Sequence, residues 1–246
     1  MTSESGLNTL VVGASRGFGR GIAIELARAE IPVVAVARTE SALAELADRG
    51  DIRTEVADAA DAATPGWLLD RYQPRAVILV AGARPLPRPL HQHTWETFSV
   101  NWETDVRMTF GWLRESLLQP LRPGSRVIVI SSGAAVAGSP LSGGYAGAKA
   151  TQRFITGYAQ DEANRASLGI TFTAVLPKIT PLTGLGRPAV LAYAERGGQT
   201  EEEYLQQLGE PLTPEGAGAA VLELLQAEAS AVAAAYLLSG AGLKEL

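Results

Sequence analysis

Tyr145 and Lys149 stand four residues apart at the head of a helical pattern, so both side chains fall on one helix face. A phenol with a pKa of about 10 is a poor proton donor or acceptor at neutral pH. A neighbouring ammonium stabilises the phenolate and turns such a phenol into a usable acid–base group. The chain has three lysines, Lys149, Lys178 and Lys244, which weighs against a Tyr-x-x-x-Lys pair arising by chance. Lys149 is expected to be partly buried, a cost that a structural role would hardly explain. Ser132 lies 13 residues before Tyr145, at the end of an apolar run. Parallel strands deliver ligand-binding groups at their carboxyl ends, where Ser132 and Tyr145 can meet.

A second constellation precedes these residues. Thr9-Leu-Val-Val runs into Gly13-Ala-Ser15-Arg16-Gly17-Phe18-Gly19. Glycines in a first strand-to-helix turn let the backbone bend tightly and approach a pyrophosphate, while the next helix aims free N–H groups at the anion. The spacing is G-x-x-x-G-x-G; the competing reading is a glycine-rich turn without a ligand. In dinucleotide folds the residue after the second strand reads the ribose: a carboxylate binds a 2′-hydroxyl, an arginine accommodates a 2′-phosphate. Here Arg38 holds that place and Arg16 sits inside the glycine turn. Two guanidinium groups favour NADP over NAD, against the bland alternative of two solvated arginines. Asp58, after the third strand, has two readings: an adenine-amino acceptor or a loop cap.

The elements that must position these groups alternate. Strand patterns cover Thr9–Gly13, Pro32–Ala37, Ile52–Val56, Arg75–Val80, Arg126–Ser131, Gly169–Leu176 and Ala231–Ser239. Most are continuously apolar, as in parallel sheets covered on both faces. Helical patterns cover Gly19–Glu30, Ser41–Arg49, Pro65–Tyr72, about 94–118 and about 142–167. Thr213-Pro-Glu opens another helix. The expectation is an α/β fold: a doubly wound, Rossmann-like, seven-stranded parallel sheet with helices on both faces. Residues 1–246 read as one dinucleotide-binding domain.

Composition excludes several classes. The 246 residues are 46% hydrophobic and 19% charged, too apolar for a disordered chain. A net charge of −5 argues against nucleic acid as a partner. No cysteine is present, which removes disulfides, thiolate nucleophiles and cysteine-ligated metals, and His91 and His93 are too few for a histidine metal site. They read as surface loop residues, and no metal is expected. Met1–Gly6 is polar and acidic, unlike a targeting signal, and no apolar run reaches the roughly 18 residues of a membrane span. A cytoplasmic protein without a membrane partner is expected.

Together, Gly13-x-x-x-Gly17-x-Gly19, Ser132 and Tyr145-x-x-x-Lys149 resemble the compact form of the short-chain dehydrogenase/reductase family, over nearly the whole chain. The resemblance implies an NADP(H)-dependent carbonyl reductase or alcohol dehydrogenase. Tyr145 would be the general acid or base, and Ser132 would hydrogen-bond the substrate oxygen. Lys149 would bind the nicotinamide ribose and act on Tyr145. Asn101 matches the family's helix asparagine, which holds a water in the proton relay. Two places depart from the family pattern. Leu79-Val-Ala81-Gly82 stands where Asn-Asn-Ala-Gly is usual, and Pro177-Lys178-Ile179-Thr180 stands where Pro-Gly is usual. Ala81 and Gly82 still allow a close cofactor approach. Pro177, Ile179 and Thr180 remain nicotinamide contacts, and Lys178 either points to solvent or meets a substrate anion. A related branch uses Tyr-x6-Lys, which neither Tyr145 nor Tyr158 satisfies.

The substrate side is expected from residues 84–93, 134–144 and 181–211, the last being a lid or an ordinary helical insertion. Its Leu182, Leu185, Tyr193, Tyr204 and Leu205, with Arg187 and Arg196, suggest a moderately apolar small-molecule ketone, aldehyde or alcohol. Apolar residues on several faces of the two long helices, with the family analogy, suggest a homodimer or homotetramer. The rivals are a non-catalytic dinucleotide sensor or scaffold on the same fold, and a related isomerase or dehydratase.

Overall fold

The computed structural model describes residues 8–246; Met1–Gly6, whose polar character is unlike a targeting signal, lies outside them. The strand patterns form β1 (Thr9–Val12), β2 (Val33–Ala37), β3 (Ile52–Val56), β4 (Ala76–Leu79), β5 (Arg126–Ile130), β6 (Thr171–Pro177) and β7 (Ala235–Ser239). All seven pair in parallel, in the order β3-β2-β1-β4-β5-β6-β7. An eighth strand, β8 (Gly242–Glu245), adds antiparallel to β7. This corrects the seven-stranded expectation. Ser239-Gly-Ala-Gly242 makes a tight turn, and an antiparallel neighbour needs no crossover helix. Only four residues long, β8 carried little sequence signal.

The helices are α1 (Gly17–Arg28), α2 (Glu40–Ala47), α3 (Thr64–Tyr72), α4 (Trp95–Asn101), α5 (Arg107–Leu118), α6 (Ala134–Ala137), α7 (Tyr145–Arg165), α8 (Gly186–Arg196), α9 (Glu201–Leu208) and α10 (Pro214–Gln226). β1, β2 and β4 are buried along their length, as their continuous apolar runs require. Val11 and Ala35 pack with Ile22 and Leu26 of α1 and Val221 of α10 on one face. Leu10, Val12 and Val34 pack with Leu68, Trp112 and Ala159 on the other. No helix among the described residues is long and apolar enough to cross a membrane.

The expected uninterrupted helix 94–118 is split. Thr94 and Thr97 form a capping box at its start, and a π-helical turn, Trp102–Val106, separates α4 from α5. Such turns insert a residue into the helical ladder and are frequent at functional sites. Here the turn carries the buried Asp105.

The chain leaves β1 toward β2 and β3 on one side and resumes at β4 on the other. At that switch point a crevice opens above the carboxyl ends of the strands.

Candidate active site

The crevice is a cleft of about 1060 Å³. Every expected site residue but one lines it: Gly13, Ser15, Arg16, Gly17, Phe18 and Gly19 after β1, Arg38 after β2, and Asp58 after β3. Ala81 and Gly82 follow β4, Ser132 follows β5, and Pro177, Ile179 and Thr180 come from the end of β6 and just beyond. Tyr145 and Lys149 come from α7. Asn101 is the exception: fully buried, it sits behind the wall, and Asp105 lies between.

The glycine turn is shaped by contact. Gly13 has φ +97°, and a Cβ there would lie 2.5 Å from the Ala81 backbone nitrogen, so β1 and β4 approach this closely only through glycine. The first turn of α1 carries no acidic residue, and no side chain caps its N-terminus. Its amide groups and positive dipole end are available to an anion. Arg16 and Arg38 are exposed at the mouth and make no ion pair with any described residue. Asp58 Oδ1 accepts the Ala60 N–H at 3.0 Å, so the loop-cap reading holds for that oxygen. These features suit a dinucleotide: an uncompensated helix N-terminus for the pyrophosphate and two free guanidinium groups for a further phosphate.

On α7 the inward face reads Ala148, Lys149, Gln152, Thr156, Ala159 and Ala163, which places a lysine in a buried stripe. The Lys149 Nζ lies 5.5 Å from the centre of the Tyr145 ring and 3.5 Å from the Ile130 carbonyl oxygen. Its nearest charge is Asp105 Oδ2 at 3.2 Å. Burial opposes the ammonium, but the Asp105 charge and hydrogen bond, with Tyr145, outweigh it and hold the lysine above its ordinary pKa. Ser132 Oγ accepts the Ala134 N–H at 3.2 Å, and the neighbouring Ser131 hydroxyl ties β5 to α7 by donating to the Lys149 carbonyl at 2.7 Å.

Sequence reasoning missed Asp105. Its carboxylate is fully buried. Oδ1 accepts the Ala83 N–H at 2.7 Å, and the Asn101 amide donates to both oxygens at 3.4 Å. Asn101 also donates to the Ala83 carbonyl at 2.9 Å, while its Oδ1 is buried without a partner among the described residues. A Cβ on Gly82 would lie 2.8 Å from Asp105 Oδ2, so Gly82 makes room for the acid. The available signal was a carboxylate in the stripe Asn101, Asp105, Met108, Thr109 and Trp112, whose spacing marks a buried face.

On the substrate side, Leu185, Tyr193, Tyr204 and Leu205 line the cleft, whereas Leu182, Arg187 and Arg196 do not. Arg187 pairs with Glu201 at 3.3 Å, fastening α8 to α9. Tyr193 stacks on Tyr204, and its hydroxyl meets the Ser139 hydroxyl. Lys178 is exposed, as the solvent reading expects, and also reaches the cleft wall. His91 is exposed, and His93 lies in the loop before α4 but is partly buried. Its ring contacts Thr97 Oγ1 and the Arg88 carbonyl, each at 3.2 Å, and packs under Gly143. It braces the 84–93 segment against the loop before α7.

A family model described as short chain dehydrogenase matches residues 8–194, so the chain belongs to the short-chain dehydrogenase family, whose members are nicotinamide-dependent oxidoreductases. Among solved structures it is similar to a crystal structure of a point variant of actinorhodin polyketide ketoreductase with NADPH. The identity is 22%, 98% of each chain is covered, and the TM-score is 0.81. At that identity the likeness speaks to the fold. A search of the curated proteins finds no match.

Proposed function

We propose that the protein is an NADP(H)-dependent oxidoreductase that interconverts a carbonyl and an alcohol, with Tyr145 as general acid and base. The observation that carries this reading is the buried Lys149 ammonium beside the Tyr145 ring, on the wall that also presents Ser132. Bound in the cleft, a nicotinamide cofactor supplies the hydride. The residues Gly13 to Gly19 would receive its pyrophosphate and Arg16 and Arg38 its 2′-phosphate. Asp58 borders the adenine end, and Ala81, Gly82, Pro177, Ile179 and Thr180 border the nicotinamide half.

The Ser132 hydroxyl donates to the substrate oxygen and orients the carbonyl. Tyr145 delivers a proton to that oxygen as charge develops there. The Lys149 ammonium stabilises the negative charge left on the phenol oxygen and holds the ribose hydroxyls. Asn101 lies behind the cleft wall and reaches Lys149 only through Asp105; its part in the relay would be to hold a water there that returns the proton.

The substrate is a moderately apolar ketone or aldehyde, set against Leu185, Tyr193, Tyr204 and Leu205, with residues 181–211 acting as its cover. The name of the similar structure, a ketoreductase with NADPH, supports the same direction. The whole chain works as one domain. Exposed Phe110, Phe154 and Tyr158 on α5 and α7 suit pairing into a homodimer or homotetramer. The test is NADPH consumption by the purified protein over a panel of apolar ketones. Ketone-dependent oxidation of NADPH is expected; a protein that binds NADPH but reduces no member of a broad panel would count against the reading.

A further inference from the structure

We propose that Asp105 is a positioning residue of this enzyme: a buried counter-ion that holds the Lys149 ammonium behind Tyr145 and acts on the reaction only through that lysine. The proposal rests on the roles given to Tyr145 and Lys149 above.

Four parts of the fold converge to seat the carboxylate. The π-helical turn turns Asp105 inward, and Gly82 leaves space for it. Ala83 and Asn101 donate hydrogen bonds to it, and Gln152 of α7 donates to its backbone carbonyl at 3.1 Å. An amide could satisfy the Ala83 N–H as well as an acid does. The ammonium is what requires a charge. A buried ammonium without an anion either destabilises the fold or gives up its proton.

The groups that face Lys149 are few. The π-helical turn supplies Asp105; its other acid, Glu103, is exposed. The neighbouring helical turn of α7 supplies Tyr145, and β5 supplies only the Ile130 carbonyl. The remaining charges on the cleft wall, Arg16, Arg38, Asp58, Arg84, Lys178 and Glu210, make no ion pair or hydrogen bond with it. Without Asp105, burial acts on the lysine unopposed by any carboxylate, and the proton is lost at lower pH.

The experiment is a pH titration of the cofactor-free protein carrying lysine labelled with carbon-13 at Cε. Three lysines give three signals, and the Lys149 signal is the one that Lys149→Met removes. In the parent protein it should remain charged beyond the ordinary lysine value of about 10.4. In Asp105→Asn it should titrate below that value, by about one pH unit or more. An unchanged Lys149 midpoint in the variant overturns the proposal. With NADPH and a reducible ketone, the alkaline limb of kcat/KM should move to lower pH in Asp105→Asn, with the rate near pH 6 less affected. A uniform loss at every pH indicates a merely structural acid and contradicts it.

Should Asp105→Asn fail to fold, the double variant Asp105→Asn/Lys149→Met decides. Removing both charges should restore folding, and a double variant no more stable than the single one overturns the proposal. The titration and the unfolding do not depend on turnover. An inactive parent protein therefore contradicts the function proposed above while leaving the Asp105–Lys149 coupling measurable.

Discussion

Lys149 and Asp105 form an ion pair at 3.2 Å with both side chains almost wholly shielded from water. Pairing keeps a charge inside a protein where solvent would otherwise be needed. It also places a cation beside a phenol in the wall of the cleft. The site is therefore charged at its base and along its glycine turn, and apolar where a substrate would enter.

The pair has a consequence for stability. The Lys149 pKa is raised in the folded state, so its contribution is fully present below the unfolded lysine value of about 10.4 and is lost as pH rises through the folded value. Tyr72 and Tyr204 are also raised, chiefly by burial, and add a loss of the same sign. Denaturant unfolding of the cofactor-free protein should show stability falling above about pH 10. Lys149→Met should fall less steeply over that range, and an identical slope would remove the lysine from the account.

The two arginines at the mouth should separate the cofactors. Arg38→Ala and Arg16→Ala should each weaken NADPH binding about tenfold, corresponding to one charge-assisted phosphate contact of about 1.4 kcal/mol, with NADH binding nearly unchanged. Fluorescence titration of both cofactors measures it. Parent affinities that are equal for the two would exclude a phosphate role for these residues.

Phe154 and Tyr158 lie 59% and 63% exposed, one turn apart on α7, and Phe110 of α5 is 58% exposed. Such exposed apolar side chains are the observation behind the proposed assembly. Sedimentation should find a dimer or tetramer for the parent. Phe154→Glu/Tyr158→Glu should shift it toward monomer, whereas a parent already monomeric at high concentration would exclude the assembly.

The order of strands and helices was legible because the central parallel strands β1, β2 and β4 are buried on both faces and are therefore continuously apolar, whereas the edge strand β3, Ile-Arg-Thr-Glu-Val, is largely exposed and was placed by the alternation around it. The glycine turn, Ser132 and the Tyr145–Lys149 pair were legible because their chemistry restricts residue type as well as spacing. Asp105 was not: its role depends on a π-helical turn and on space left by Gly82, neither of which has a one-dimensional signature. The packing of the loop residue His93 was not legible because its partners, Arg88 and Thr97, bracket it in the chain and give no periodic signal. The final strand escaped notice because Gly242-Leu-Lys-Glu is short and polar for a sheet edge, as edge strands often are.

The central claim is that Tyr145 passes the proton. It is tested most directly by measuring single-turnover ketone reduction by Tyr145→Phe with saturating NADPH. The account expects a fall of at least about 100-fold in the rate, with NADPH affinity within a few-fold of the parent. A variant that reduces the ketone as fast as the parent would contradict it.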